Sequence, residues 1–259
     1  MLIDSHCHLN HLKLEDKTLS DVIAEAYEKG VKEIISISTT LEEVKDIAEI
    51  AKAHTGVFYS VGVHPSEFDG VQPQEAKEII SFARDNRCVA IGETGLDYYY
   101  NDQSTIPLQK GKFLAHLEAA NRLQKPVIVH TRGAKKDTLE LLKEGNIEGC
   151  GGVLHCFTED WDMAKSALDM GMYISFSGIV TFKNAQSVQE VAKKIPQDRI
   201  LVETDAPYLT PVPYRGKPNY PAYVYYVAEY LAELRKENFD AFASKTTENV
   251  HRLFNLHDA

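Results

Sequence analysis

Eight short apolar runs recur along the chain: Leu2–Asp4, Glu33–Ser38, Val57–Val63, Val89–Gly92, Val127–His130, Gly152–Cys156, Tyr173–Ser177 and Ile200–Glu203. None alternates apolar with polar positions, so each reads as a strand buried on both faces, as in a parallel sheet. Between them the period changes to that of a helix. In Leu19–Lys29, Val22, Ile23, Ala26 and Tyr27 share one face; in Leu108–Leu123, Phe113, Leu114, Leu117 and Ala120 do the same. Leu41–Ala53, Gln74–Asp85, Ala134–Glu144, Asp160–Met170, Asn184–Lys194 and Tyr220–Lys236 complete the helical set, and Asp240–Phe254 adds a terminal helix. Eight strands alternating with helices predict a (β/α)8 TIM barrel with an extra C-terminal helix. A doubly wound open sheet shares this alternation, because strand count does not show closure. No linker or low-complexity stretch divides residues 1–259, so one domain is expected.

Composition supports a folded globular chain: 44% of the 259 residues are hydrophobic and 25% charged. No apolar run approaches the ~18 residues that cross a bilayer, which excludes a membrane-spanning helix. Acids and histidines near the N-terminus occupy the place of a signal-peptide core, so the cytoplasm is the default compartment. Cys7, Cys88, Cys150 and Cys156 form no Cys-x-x-Cys pair and read as reduced thiols. Against 28 basic residues stand 38 acidic ones, a net charge of −10. That balance opposes broad attraction to nucleic acid or membrane, yet bound cations can reverse the sign locally.

The candidate chemistry lies at strand ends. His6 and His8 follow strand 1, His64 follows strand 3, and His130 and His155 end strands 5 and 6. Glu93 follows strand 4, while Glu203 and Asp205 flank the end of strand 8. In a barrel all of these fall on the C-terminal face, where such enzymes build their sites. Residues i and i+2 of an extended segment project to one side, so His6 and His8 can reach one ion while Cys7 points away. With Glu93, His130, His155 and Asp205 they supply four nitrogens and two carboxylates, suited to one or two divalent ions. A bridging carboxylate would hold two ions about 3.5–4 Å apart.

Together these segments resemble the TatD family of metal-dependent deoxyribonucleases, within the amidohydrolase-like barrels. The matching stretches are Ile3-Asp4-Ser5-His6-Cys7-His8-Leu9, Gly62-Val63-His64-Pro65, Ile91-Gly92-Glu93-Thr94-Gly95-Leu96-Asp97-Tyr98 and Pro126-Val127-Ile128-Val129-His130. Leu154-His155-Cys156-Phe157 and Glu203-Thr204-Asp205-Ala206-Pro207-Tyr208-Leu209 extend the match to the last strand. One stretch departs: Asn219-Tyr220-Pro221 stands where the family often has Asn-Glu-Pro. The resemblance implies that His6, His8 and Asp205 hold one ion, that His130 and His155 hold a second, and that Glu93 bridges. It places His64 beside the metals as a substrate-contacting group and leaves Glu203 to orient a ligand histidine or to pair inside the barrel. Asp205 would also accept the proton of the attacking water.

On the substrate side, Arg132, Lys135 and Lys136 follow His130, and Arg215 and Lys217 follow Asp205. Their positions suit phosphate contact. Of Tyr98, Tyr99 and Tyr100, one could stack on a base, with Tyr98 taken as the contact. The expected activity is therefore cleavage of DNA from ends or single strands. A binuclear enzyme acting on a small amide, lactone or phosphoester is the alternative, and a metal-bound scaffold is a third. The donor set accepts Mn2+, Zn2+, Ni2+ or Co2+ more naturally than Mg2+.

Overall fold

The computed structural model describes residues 1–67 and 75–256. All eight expected strands are present: β1 (Leu2–Cys7), β2 (Val31–Ser36), β3 (Val57–Val61), β4 (Cys88–Asp97), β5 (Val127–Arg132), β6 (Gly152–Leu154), β7 (Tyr173–Phe176) and β8 (Ile200–Val202). They pair in parallel in sequence order from β1 to β8. The open doubly wound sheet, whose strand order would reverse, is excluded. Helices α1 (Leu19–Glu28), α2 (Val44–Ala53), α3 (Ala76–Phe82), α4 (Ile106–Leu123) and α5 (Lys135–Glu144) follow β1 to β5. A short α6 (Ile147–Cys150), which periodicity missed, precedes β6, and α7 (Trp161–Asp169), α8 (Gln186–Ala192), α9 (Val224–Arg235) and α10 (Phe239–Phe254) complete the order. Gln74, the expected start of α3, lies outside the described residues. Among those residues, no helix is long and apolar enough to cross a membrane.

The seam between β8 and β1 is closed by polar groups. Thr204 Oγ1 donates to Asp4 Oδ2 at 2.6 Å, and Thr204 N donates to Asp4 Oδ1 at 2.9 Å. Asp205 N donates to His6 O and His8 N to Ala206 O, at 2.9 and 2.7 Å. Burial pushes the Asp4 carboxyl up to about 8, against the pull of these bonds. The rungs that close the barrel thus lie among the residues that build its site.

Gly95 illustrates how tightly β4 and β5 are joined. It has φ +132 and faces His130 in register, and a Cβ there would collide with the His130 carbonyl. Gly95→Ala should cost about 1–3 kcal/mol for backbone strain alone, or roughly 2–4 °C of Tm per kcal/mol. Displacement of His130 should lower metal content as well. Thermal melting with metal analysis checks both, and a variant that melts and loads like the parent would show that the crowding is relieved freely.

Candidate metal centre

Five imidazoles and two carboxylates converge at the C-terminal mouth of the barrel. Glu93 sits at the centre, buried, with its two oxygens facing different partners. Oε2 lies 3.4 Å from His6 Nε2 and 3.8 Å from His8 Nε2. The same two nitrogens lie 3.6 and 3.5 Å from Asp205 Oδ1, which closes one lobe. Oε1 lies 2.7 Å from His155 Nε2, 3.1 Å from His130 Nδ1 and 3.5 Å from His64 Nε2, which forms the other.

Hydrogen bonds on the far side of each ring fix which nitrogen carries a proton. His8 Nδ1 donates to Ile37 O at 3.1 Å, so the neutral ring keeps its lone pair on Nε2. His130 Nε2 donates to Asp97 Oδ2 at 3.0 Å and turns Nδ1 inward. His155 Nδ1 donates to Glu203 Oε1 at 3.3 Å and turns Nε2 inward. In their neutral form, which metal binding requires, these three rings aim bare lone pairs at carboxylate oxygens. That contact is unfavourable unless a proton or a cation lies between. Both ring nitrogens of buried His6 lack a hydrogen-bond partner within bonding geometry, and the donor set fits divalent metal.

His64 is oriented the other way. Its Nδ1 accepts from Ser66 N at 3.1 Å, so a neutral ring carries its proton on Nε2, which faces Glu93 as a donor and not as a ligand. Burial lowers its pKa to about 4, which keeps the ring neutral.

The cluster draws in positive charge, as protons when no ion is bound. Burial opposes ionisation of Glu93, but His155, His64 and His130 outweigh it and hold the carboxyl well below the usual range. Burial likewise raises Asp205, and His8, His6 and His155 bring it below its ordinary value. Burial lowers His155, yet Glu93 and Glu203 drive it well above. His6 is stacked on His155 at 3.9 Å and is lowered, first by burial and then by that neighbour. Two imidazolium rings cannot share such a stack.

A family model described as TatD related DNase matches residues 3–255. The chain belongs to that family. It is a metal-dependent hydrolase of the TatD family, 46% identical over 257 residues to the uncharacterized metal-dependent hydrolase YcfH of Escherichia coli K12, covering 98% of this chain and 96% of the relative. It is 34% identical over 241 residues to a Klebsiella pneumoniae protein named 3'-5' ssDNA/RNA exonuclease TatD, with 91% of each covered. The crystal structure of YjjV, a TatD homologue from Escherichia coli, superposes with a TM-score of 0.89 at 27% identity over 98% of both chains.

This TatD-family hydrolase also holds residues whose part the sequence did not show. In the sequence Asp97 stands only as part of a motif, yet one oxygen holds His130 while the other accepts from Tyr99 N and Tyr100 N at 2.9 Å each. Gln109, Lys112 and His116 form a buried polar face on α4. Gln109 bonds Asp97 N and O, Lys112 reaches the His64 and Glu67 carbonyls, and His116 accepts from Val63 N. Their spacing of three, four and seven residues beside the apolar stripe was the available signal. His11, paired with Glu43, stacks at 5.5 Å on His8.

Several expected substrate contacts are placed differently. Tyr98 packs against the core and donates its hydroxyl to Asp137, so the exposed tyrosines are Tyr99 and Tyr100. Tyr98, the first residue after β4, is drawn to α5 by that bond, whereas the next two rings stand outside. Lys135 pairs with Asp160 at 2.7 Å, and exposed Lys136 lies 3.9 Å from exposed Glu140. Arg132, Arg215 and Lys217 make no ion pair among the described residues; Arg215 lies 3.7 Å over the Phe182 ring and Lys217 5.7 Å from the Tyr214 ring. In the departing stretch Asn219 ties Thr204 O to Tyr208 O, and Tyr220 donates to Lys13 O. Tyr220 thus serves the rim as a structural staple.

Asp97→Ala should weaken metal retention about 10–100-fold, the usual cost of removing a group that orients a ligand histidine. Competition with a chelator measures it. Retention equal to the parent would mean that His130 is held without Asp97.

Proposed function

We propose that the chain is a single-domain deoxyribonuclease that releases nucleotides from DNA ends, on single strands or frayed duplexes, using two divalent ions. The observation that carries this reading is Glu93, whose two oxygens serve two separate groups of nitrogen lone pairs. His6, His8 and Asp205 would hold one ion and His130 and His155 the other, with Glu93 between. Bound there, the ions would acidify a water molecule and neutralise charge on the phosphodiester.

The chain's own groups do the rest. Asp205 is the carboxylate not shared between lobes and accepts the water's proton at its free oxygen. His64 Nε2–H donates to a phosphate oxygen, and neutrality lets it do so without competing for metal. Arg132, Arg215 and Lys217 supply cations at the rim of a chain that is otherwise acidic. The Klebsiella relative's name supports single-stranded nucleic acid as the substrate class. The few unpaired rim cations favour, as a second reading, a small phosphoester or amide.

The test is metal-reconstituted protein assayed on end-labelled single- and double-stranded DNA, with RNA and a phosphotriester as controls. Mononucleotides released from single-stranded DNA are expected. Hydrolysis of the phosphotriester alone would overturn the reading. DNA binding should also weaken steeply as salt rises and as metal is stripped.

A further inference from the structure

Beside the metal lobes lies an arrangement that hydrolysis of a phosphodiester does not require. Tyr99 and Tyr100 are 69% and 68% exposed, an unusual cost for two adjacent aromatic rings. They meet edge to face at 4.9 Å. The Arg132 guanidinium lies 4.3 Å from one ring centroid and 4.4 Å from the other. A planar cation over aromatic faces is weakly solvated there and stiffens both rings. With no carboxylate claiming it among the described residues, its N–H edge remains free to donate.

The position of this group is fixed from below. Asp97 Oδ1 accepts from both tyrosine amides, and Asp97 Oδ2 accepts from His130. Arg132 follows His130 by two residues on β5, about 7 Å further up the strand and on the same side. The rings therefore stand at the mouth, one short step outside the metal lobes.

We infer that Tyr99, Tyr100 and Arg132 form a nucleobase-stacking subsite, held in register with the metal centre through Asp97. It rests on the nuclease reading and adds that the substrate is recognised through an unpaired base. A ring offers a π-face to any base, so the subsite is tolerant of sequence, and Arg132 donates to the backbone beside it. A paired end has to open before a base can reach the rings. The subsite thus selects for single strands.

The probe is a short oligothymidylate with uncleavable phosphorothioate links, bound to metal-loaded protein, and a series lacking one base at successive positions. Changing Tyr99→Ala with Tyr100→Ala should weaken binding of the full oligonucleotide about 5- to 150-fold, the span that ~1–3 kcal/mol of stacking gives at 1.4 kcal/mol per tenfold. The parent should discriminate against a missing base at one position, and the double alanine variant should lose that discrimination. Changing both to phenylalanine should keep it, because the ring and not the hydroxyl is used. Metal content is measured on every variant.

Unchanged affinity in the alanine variant overturns the inference, and so does discrimination that survives it. A fall in metal content overturns it too, since the turn would then act through Asp97 on His130. Base-dependent binding by a parent that cleaves no DNA would leave the subsite standing and defeat only the nuclease reading.

Discussion

Glu93→Gln should cost kcat about a thousandfold or more and leave fewer ions bound per chain. Glutamine keeps the size of the side chain but replaces one oxygen by an amide that donates. Whichever way it turns, one group of lone pairs then faces N–H in place of oxygen. The buried cluster also loses the one charge that both groups share, since every imidazole of the site lies within 3.8 Å of a Glu93 oxygen. Divalent ions stabilise developing charge by several kcal/mol, and each 1.36 kcal/mol is tenfold in rate. Metal analysis and single-turnover cleavage of labelled DNA measure the two effects. A variant that holds two ions and cleaves within tenfold of the parent would remove Glu93 from the centre.

Asp205→Asn tests the proton, and its expected signature differs. Asp205 has φ +57, a conformation that asparagine also adopts readily, so the backbone should stay in place. One oxygen remains to face His6 and His8. What disappears is charge and basicity, and general-base assistance is typically worth ~10²–10⁴-fold. The loss should therefore appear in kcat while both ions are retained. Near-parental kcat with full metal would place the base elsewhere. His64 is a poor substitute, because Ser66 N occupies its acceptor nitrogen. Glu203 would be the next carboxylate to test.

How much of this the sequence disclosed depends on what kind of force placed each residue. The eight strands were legible because Val, Ile and Leu runs must be buried on both faces. Their upper ends were not. Val89–Gly92 marks only the apolar half of β4, which runs on through Glu93 and Gly95 to Asp97 under the direction of pairing with β5. In the other direction, β8 stops at Val202, so Glu203 and Asp205 stand beyond it. The ligand types were readable from His-x-His and the strand-end acids. Which nitrogen of each ring faces inward was not, since that follows from partners such as Ile37 O, Asp97 and Glu203, which neighbour the histidines only in space. Tyr98, Tyr99 and Tyr100 could not be told apart by type, only by the layer each reaches.

The polar seam bears on the order in which the molecule is made. Asp4 and Thr204 are 200 residues apart, and His6 and His8 meet Asp205 across the same seam. A chain emerging from the ribosome presents Glu93, His130 and His155 well before Asp205 exists. Neither lobe is complete until the last strand has been made, because Glu203, which orients His155, follows β8 just as Asp205 does. An ion held by His6, His8 and Asp205, as proposed, would tie the two ends of the barrel together and, like a crosslink over a long loop, chiefly penalise the opened chain. Metal supply would then govern how long a newly made molecule survives proteolysis, before it has met any substrate.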